Sequence, residues 1–442
     1  MALTEKYLNQ LIADKTALAN NLTTKGVEAS SEETFTELVP KVLDIPSGGT
    51  PITKGIIINE CDENGYATDV SVVGFTEIPA YYFYYAAYVN GVDVQTWMQN
   101  IGSNLHLPDN ITKIGAHAFE YCRRLALEEL PKNLVTIGDQ AFYNCDSLNL
   151  TQLPSDVRNL GVACFQNCSN MPLESLPEGL VTLPERCFRY CNNLKLTSLP
   201  NTLTTIGNQA FSNCKYLGTV ELHDGITLID KFAFSSSTAF NTTKLPSGLT
   251  VIKDNSFGGC TSLTLTELPV GVTEIEQYAF SGCTNLALTT LPSGLTTIGK
   301  NAFKDCKNMT LTSLPESLTS IGEYAFRGCE NITLTELPVG ITRIDGYTFS
   351  NCKAITEMTI KGDITYIGTY ALHYCQKLTK LVLPNVTTVP TLATLSAFLY
   401  TLIDDGTGEI YVPDNLVEDF KVASNWSSYA SQIKGLSELP TE

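Results

Sequence analysis

The sequence predicts a solenoid of stacked repeats, and three columns of residues predict it. Phe119, Phe142, Phe165, Phe188, Phe211, Phe234, Phe257, Phe280, Phe303, Phe326 and Phe349 follow one another at a constant interval of 23 residues. Cysteine keeps the same interval from position 122 to position 375, with Ser237 in one slot. Leu-Pro is the third column, with Pro131, Pro154, Pro177, Pro200, Pro246, Pro269, Pro292, Pro315 and Pro338 in register. Self-similarity at such a period means stacked supersecondary units rather than one globular core.

Within one repeat, Met309, Leu311, Leu314, Leu318, Ile321, Ala325, Phe326 and Cys329 are the recurring apolar positions. Met309 and Leu311 are two apart, which predicts a short strand with both side chains on one face. Pro315 ends that strand's donor ladder, and residues 318–322 form a second extended segment. Gly322 reads as a turn that a side chain would resist, and residues 324–329 as one short helical turn. A single unit cannot bury its apolar face, whereas stacked copies bury each residue against its own counterpart.

The pattern L-x-L-x-x-L-P-x-x-L-x-x-I-G-x-x-A-F-x-x-C closely resembles the BspA-type leucine-rich repeat. The resemblance implies a leucine-rich repeat solenoid, right-handed and mainly parallel β with short helical turns. It also implies use mostly on surfaces for binding, with no catalytic residues of its own.

Taken in order, residues 1–45 predict a small helical module. Leu8, Leu11, Leu18 and Leu22 make an apolar stripe interrupted by Lys15, Gly26 breaks the helix, and Ser30 with Glu33 forms a capping box for a second one. Helices this short need a partner, so the module is read as serving attachment or homo-oligomerisation; folding back onto the first coil is the alternative. A PSGGTP-containing linker at 46–54 follows. The segment LTTKGVEASSEETFTELVPKV at 22–42 is similar to segments that open phage and prophage tail-associated (tail fibre, receptor-binding) proteins. That resemblance implies docking on other tail or particle proteins through residues 1–45. No apolar run follows a basic segment at the amino terminus, so neither a signal peptide nor membrane insertion is expected. The expected location is the virion tail, assembled in the host cytoplasm, or an extracellular surface.

Residues 55–104 read as an amino-terminal cap and irregular first coil, with a hairpin whose turn is DENG at 62–65. Phe83 holds the repeat's Phe position 36 residues before Phe119, so 13 extra residues must bulge out. Aromatic residues crowd this stretch: Tyr81, Tyr82, Tyr84, Tyr85 and Trp97. Rings with polar tips are candidate contacts for a glycan or protein, and packing of the cap is the equal alternative.

The solenoid proper is assigned to 105–401 and a carboxy-terminal cap to 402–442. Near the boundary the register is read as slipping to 22 residues between Ile367 and Val389, with the Phe and Cys columns ending. Residues 410–413 read as the last strand, Asp414 as a helix N-cap, and Leu416, Val417, Phe420 and Trp426 as a helical patch closing the array.

The exposed columns carry whatever specificity exists. One reads Glu129, Gln152, Ser175, Ser198, Glu221, Lys244, Glu267, Thr290, Ser313, Glu336 and Thr359; another is threonine at 204, 227, 250, 273, 296, 319, 342 and 365. Threonine suits a solvated strand face. The functional reading is a polar, slightly acidic face that holds a bacterial surface glycan or protein at many weak points.

The cysteine column is explained by small buried thiols. Cys164, Cys168, Cys187 and Cys191 form C-x3-C-x18-C-x3-C, for which a metal site or a disulfide stays open. Four histidines share no metal-ligand spacing, no nucleophile-base arrangement emerges, and no cofactor is expected. The chain has 28 basic and 46 acidic residues, a formal charge of -18, which disfavours nucleic acid and anionic lipid as partners. The expected function is a non-enzymatic phage or prophage tail component that recognises or attaches to a bacterial cell surface; a BspA-like surface adhesin or host-interaction protein is the alternative.

Overall fold

The computed structural model describes residues 55–61, 67–83 and 105–440. The chain is a parallel β-solenoid with about 14 turns of roughly 23 residues and little helix. It divides into two compact units, Met1–Pro177 and Glu178–Glu442.

In the first unit, Gly55–Cys61 and Ala67–Val73 pair as an antiparallel hairpin, as the alternating strand pattern predicts. The DENG turn and the residues from 84 to 104 lie outside the described residues. The hairpin's second strand pairs in parallel with Leu105–His106, so it joins the coil edge directly. Glu77–Ile78, Lys113–Ile114, Thr136–Ile137 and Asn159–Leu160 then form a parallel sheet with Ile78, Ile114, Ile137 and Leu160 in register. Phe83 stacks on Phe119 at 4.6 Å, Phe119 on Phe142 at 5.1 Å and Phe142 on Phe165 at 5.4 Å. Phe83 therefore holds its slot despite the insertion.

In the second unit one side of the coils carries two-residue parallel strands, from Thr182–Leu183 to Thr391–Leu392. The other side consolidates late into a five-stranded parallel sheet of Glu336–Leu337, Glu357–Ile360, Lys380–Val382, Glu409–Val412 and Ile433–Gly435. Between them the rings stack again, Phe188 on Phe211 at 5.6 Å through to Phe326 on Phe349 at 5.5 Å. All are essentially fully buried. Each such pair contributes about 0.5–1.5 kcal/mol beyond its burial.

Several local expectations are corrected. Residues 324–329 are not a helical turn: Tyr324 (φ 61°) and Gly328 (φ 76°) are left-handed, which breaks the helical path. Instead, tight turns follow back to back. The N–H groups of Ala325, Arg327 and Cys329 close those turns on Gly322, Tyr324 and Phe326, while those of Tyr324, Phe326 and Gly328 donate forward to Gly346, Thr348 and Ser350 of the next coil. Gly322 is required by closeness rather than by turn conformation, since a Cβ there would lie 2.5 Å from the Lys300 backbone nitrogen.

The third correction concerns register. Ile367 pairs with Leu392, 25 residues on, not with Val389. Leu372 donates to Ala397 as Phe349 donates to Ala371, so Phe398 occupies the ring slot and the Phe column resumes. The last strand is Ile433–Gly435, not 410–413. Asp414 is not the N-cap; Pro413 precedes a 3-10 turn that leads into the short α-helix Val417–Val422, and the Asp414 carboxylate instead accepts the Ser437 hydroxyl at 2.8 Å. Leu416, Phe420 and Trp426 are buried as predicted, whereas Val417 is only half-buried. The cap also closes one sheet edge with side chains. Trp426 Nε1 donates to Pro390 O at 2.7 Å, Asn425 Nδ2 to Leu392 O at 2.8 Å and Tyr429 Oη to Leu395 O at 2.9 Å. Carbonyls that another coil would otherwise engage are thus satisfied.

Candidate functional site

The buried columns are fully engaged in holding coils together. Nine of the column thiols donate to the Phe carbonyl of the preceding coil, for example Cys283 to Phe257 and Cys306 to Phe280 at 3.0 and 3.1 Å. Ser237 makes the same bond to Phe211 at 2.6 Å, which explains the substitution better than size alone. Burial pushes the Cys283 and Cys375 thiols up to about 12. Cys168 takes this column bond too, to Phe142 at 3.1 Å, and Cys164, Cys187 and Cys191 are likewise buried. Among the described residues, no group of three or more His, Cys, Asp or Glu side chains could hold a metal ion.

The threonine column is also structural. Thr296 Oγ1 donates to Thr273 O at 3.0 Å, Thr319 to Thr296 O at 3.2 Å and Thr365 to Thr342 O at 3.1 Å. These hydroxyls tie coil to coil.

The second polar column divides. Glu129, Gln152, Glu221, Lys244 and Glu267 are exposed, whereas Glu336 is half-buried. Lys244 pairs with Asp224 at 2.9 Å, Glu221 accepts from Thr243 at 2.8 Å, and Glu336 pairs with Lys361 at 2.8 Å. Backbone donation from Ser247 and the Lys244 ammonium hold Asp224 at about 2. Of the aromatic candidates, Tyr81 is 37% exposed and stacks on His117 at 4.4 Å. Tyr82 packs edge-on against Phe75 and Phe83, at 5.2 and 4.9 Å, and its burial raises the phenol's pKa. Tyr84, Tyr85 and Trp97 lie outside the described residues, as do residues 1–54.

Sequence reasoning missed a second aromatic cluster, on the turn side of the later coils. Tyr324 stacks on Tyr347 at 4.6 Å and Tyr347 lies 4.8 Å from Tyr370. Tyr374 and Tyr400 approach to 4.6 Å, and His373 sits edge-on to Tyr370 and Tyr374. The Arg327 guanidinium lies 5.8 Å from the ring centres of both Tyr324 and Tyr347. The signal was present as tyrosine two residues before Phe326 and Phe349 and before Leu372, a position that varies elsewhere and so does not read as a column.

A family model described as BspA type leucine rich repeat region (6 copies) matches residues 99–197, 181–310 and 296–402, well over half of the chain. The chain belongs to the BspA-type leucine-rich repeat family. Among solved structures this BspA-type chain is similar to a leucine-rich repeat protein from Bacteroides ovatus, 20% identical over 76% of this chain and 97% of that one, with a TM-score of 0.55. It is also similar to a leucine rich cell surface protein from Faecalibacterium prausnitzii (22% identity, 71% and 94% coverage, TM-score 0.45). A Treponema pallidum leucine rich repeat protein is 29% identical over 37% of this chain and 80% of its own, with a TM-score of 0.33. No curated protein matches. The family match and the likeness to the Bacteroides ovatus structure show the leucine-rich repeat solenoid fold. Among the described residues, no helix is long and apolar enough to cross a membrane.

Proposed function

We propose that the protein is a non-enzymatic binding protein that recognises or attaches to a bacterial cell surface through the exposed side of its coils. The observation that most supports this reading is the division of labour within each coil. Thiol, threonine hydroxyl and Phe ring are consumed by coil-to-coil contacts, so varied chemistry is left only on exposed positions that recur once per coil. Such a surface suits many weak, additive contacts. In the finer reading the protein is a phage or prophage tail component, and residues 1–45 dock it on other tail or particle proteins or on a second copy of itself. That assignment draws on the segment at 22–42. A second reading, a BspA-like bacterial surface adhesin or host-interaction protein, draws on the family membership.

The test is a pair of measurements on the full chain and on a chain lacking residues 1–45. Both should bind bacterial cells equally, while only the full chain enters purified virions. Incorporation of both chains sinks the attachment role, absence of both from virions favours the adhesin reading, and failure of both to bind any cell type sinks the binding function itself.

A further inference from the structure

The turn side of the coils between 324 and 400 carries a surface that the fold does not require. The slot held by Tyr324, Tyr347 and Tyr370 is left-handed in each coil from Tyr81 to Tyr370, and elsewhere it takes small or polar residues such as Gln140, Ala163, Gln209, Asn255 and Asn301 as well as the bulkier Arg186, Phe232 and Tyr278. Left-handed backbone favours Asn and disfavours bulky side chains. A second left-handed slot is Gly259, Gly282, Gly328 or Asn351 in several coils but Tyr374 and Tyr400 in the last two. Tyr121 and Tyr190 also occupy that slot singly. Among the described residues, five tyrosines converge here, each at a left-handed position where a bulky side chain is disfavoured.

The chemistry of the surface is specific. Tyr374 and Tyr400 are 38% and 54% exposed. Tyr324, Tyr347 and Tyr370 close their faces on one another, so that row presents ring edges and phenol hydroxyls. His373 and Asn351 lie in the same coils and are half-buried, and Arg327 makes no salt bridge among the described residues. Of the nearby acids, Glu323 is paired with Lys300 at 2.6 Å and Glu330 with Lys353 at 2.8 Å.

We infer that this surface binds a neutral carbohydrate chain. Phenol, imidazole and carboxamide groups each donate and accept, which matches sugar hydroxyls that do the same, while the exposed parts of the tilted Tyr374 and Tyr400 rings offer cover for the apolar C–H face of a pyranose. The net charge of -18 repels polyanionic glycans and so selects an uncharged one. A protein hot spot would instead seat its anchors in a desolvated pocket, which mutually stacked rings do not offer. The inference rests on the cell-surface reading above and names the ligand class and the site for it.

The experiment is affinity electrophoresis of the full chain through gels containing soluble mannan, starch, galactan or mixed-linkage β-glucan, with alginate as the anionic comparison. Retardation by at least one neutral polymer is expected, weakened about tenfold or more in the Tyr374→Ala/Tyr400→Ala double variant. It should be unchanged in Tyr216→Ala, an exposed tyrosine outside the cluster. If the double variant fails to melt like wild type, Tyr400→Ala alone and Arg327→Gln carry the comparison. No retardation by any neutral polymer, retardation by alginate alone, or equal retardation of wild type and variants overturns the site. A parallel cell pull-down separates the two claims. Cell binding that survives the double variant and resists the polysaccharides leaves the cell-surface reading standing and this site wrong. Polysaccharide binding without cell binding does the reverse.

Discussion

At the scale of single residues, Cys306 and Ser237 show that the Cys column selects a hydrogen-bond donor as well as a small volume. Cys306→Ala removes the thiol that donates to Phe280 O and should cost about 1 kcal/mol by urea denaturation, with Cys306→Ser nearer to wild type because Ser237 already makes that bond. The thiols also set an alkaline limit. Cys283 and Cys375 are held up at about 12 in the folded chain against an ordinary value of 9.0, so the unfolded chain loses those protons first. Their contribution to stability is whole below pH 9 and is lost as pH rises toward 12, which urea midpoints measured between pH 8 and 11 will follow. Thiol reagents at pH 8 should leave these groups unmodified until the protein is denatured.

At the scale of elements, the closing segment is the place to test. Trp426 is fully buried, packs edge-on to Phe420 and bonds Pro390 O. Trp426→Ala should cost about 3–5 kcal/mol. Amide exchange should rise first at Thr391–Leu392 and Ile433–Gly435, while Val422→Ala, at a residue 79% exposed, should be nearly silent. The Phe column was legible in the sequence because ring spacing and coil length are the same number. The turns were not, because the left-handed slots accept Tyr, Gln, Asn, Asp and Gly alike and so leave no compositional mark. The step from Ile367 to Leu392 was misread for a related reason: an apolar Val389 lay nearer the expected spacing than the residue that pairs. The tyrosine cluster escaped notice because its members belong to two different slots, which only the coil geometry brings together.

At the scale of the whole molecule, charge decides behaviour in solution. With 46 acidic and 28 basic residues, and a pI near 4.7, the protein should stay dispersed at neutral pH and scatter light strongly as pH is lowered toward 4.7. Ion pairs between neighbouring coils, such as Lys253 with Glu276 at 3.0 Å and Lys380 with Glu357 at 2.6 Å, offset part of the acid excess locally. Each is worth little singly.

The direction of the backbone donors has an evolutionary consequence. In an interior coil, Gly322 N–H reaches back to Ile298 while Phe326 N–H reaches forward to Thr348. Excising one whole coil therefore rejoins a giver to a matching taker on both sides, whereas a cut of any other length strands groups at both joints. Misaligned recombination between near-identical gene segments would then shorten or lengthen the protein in whole steps without creating a new packing problem. Copy number is the variable that such a lineage can change most freely.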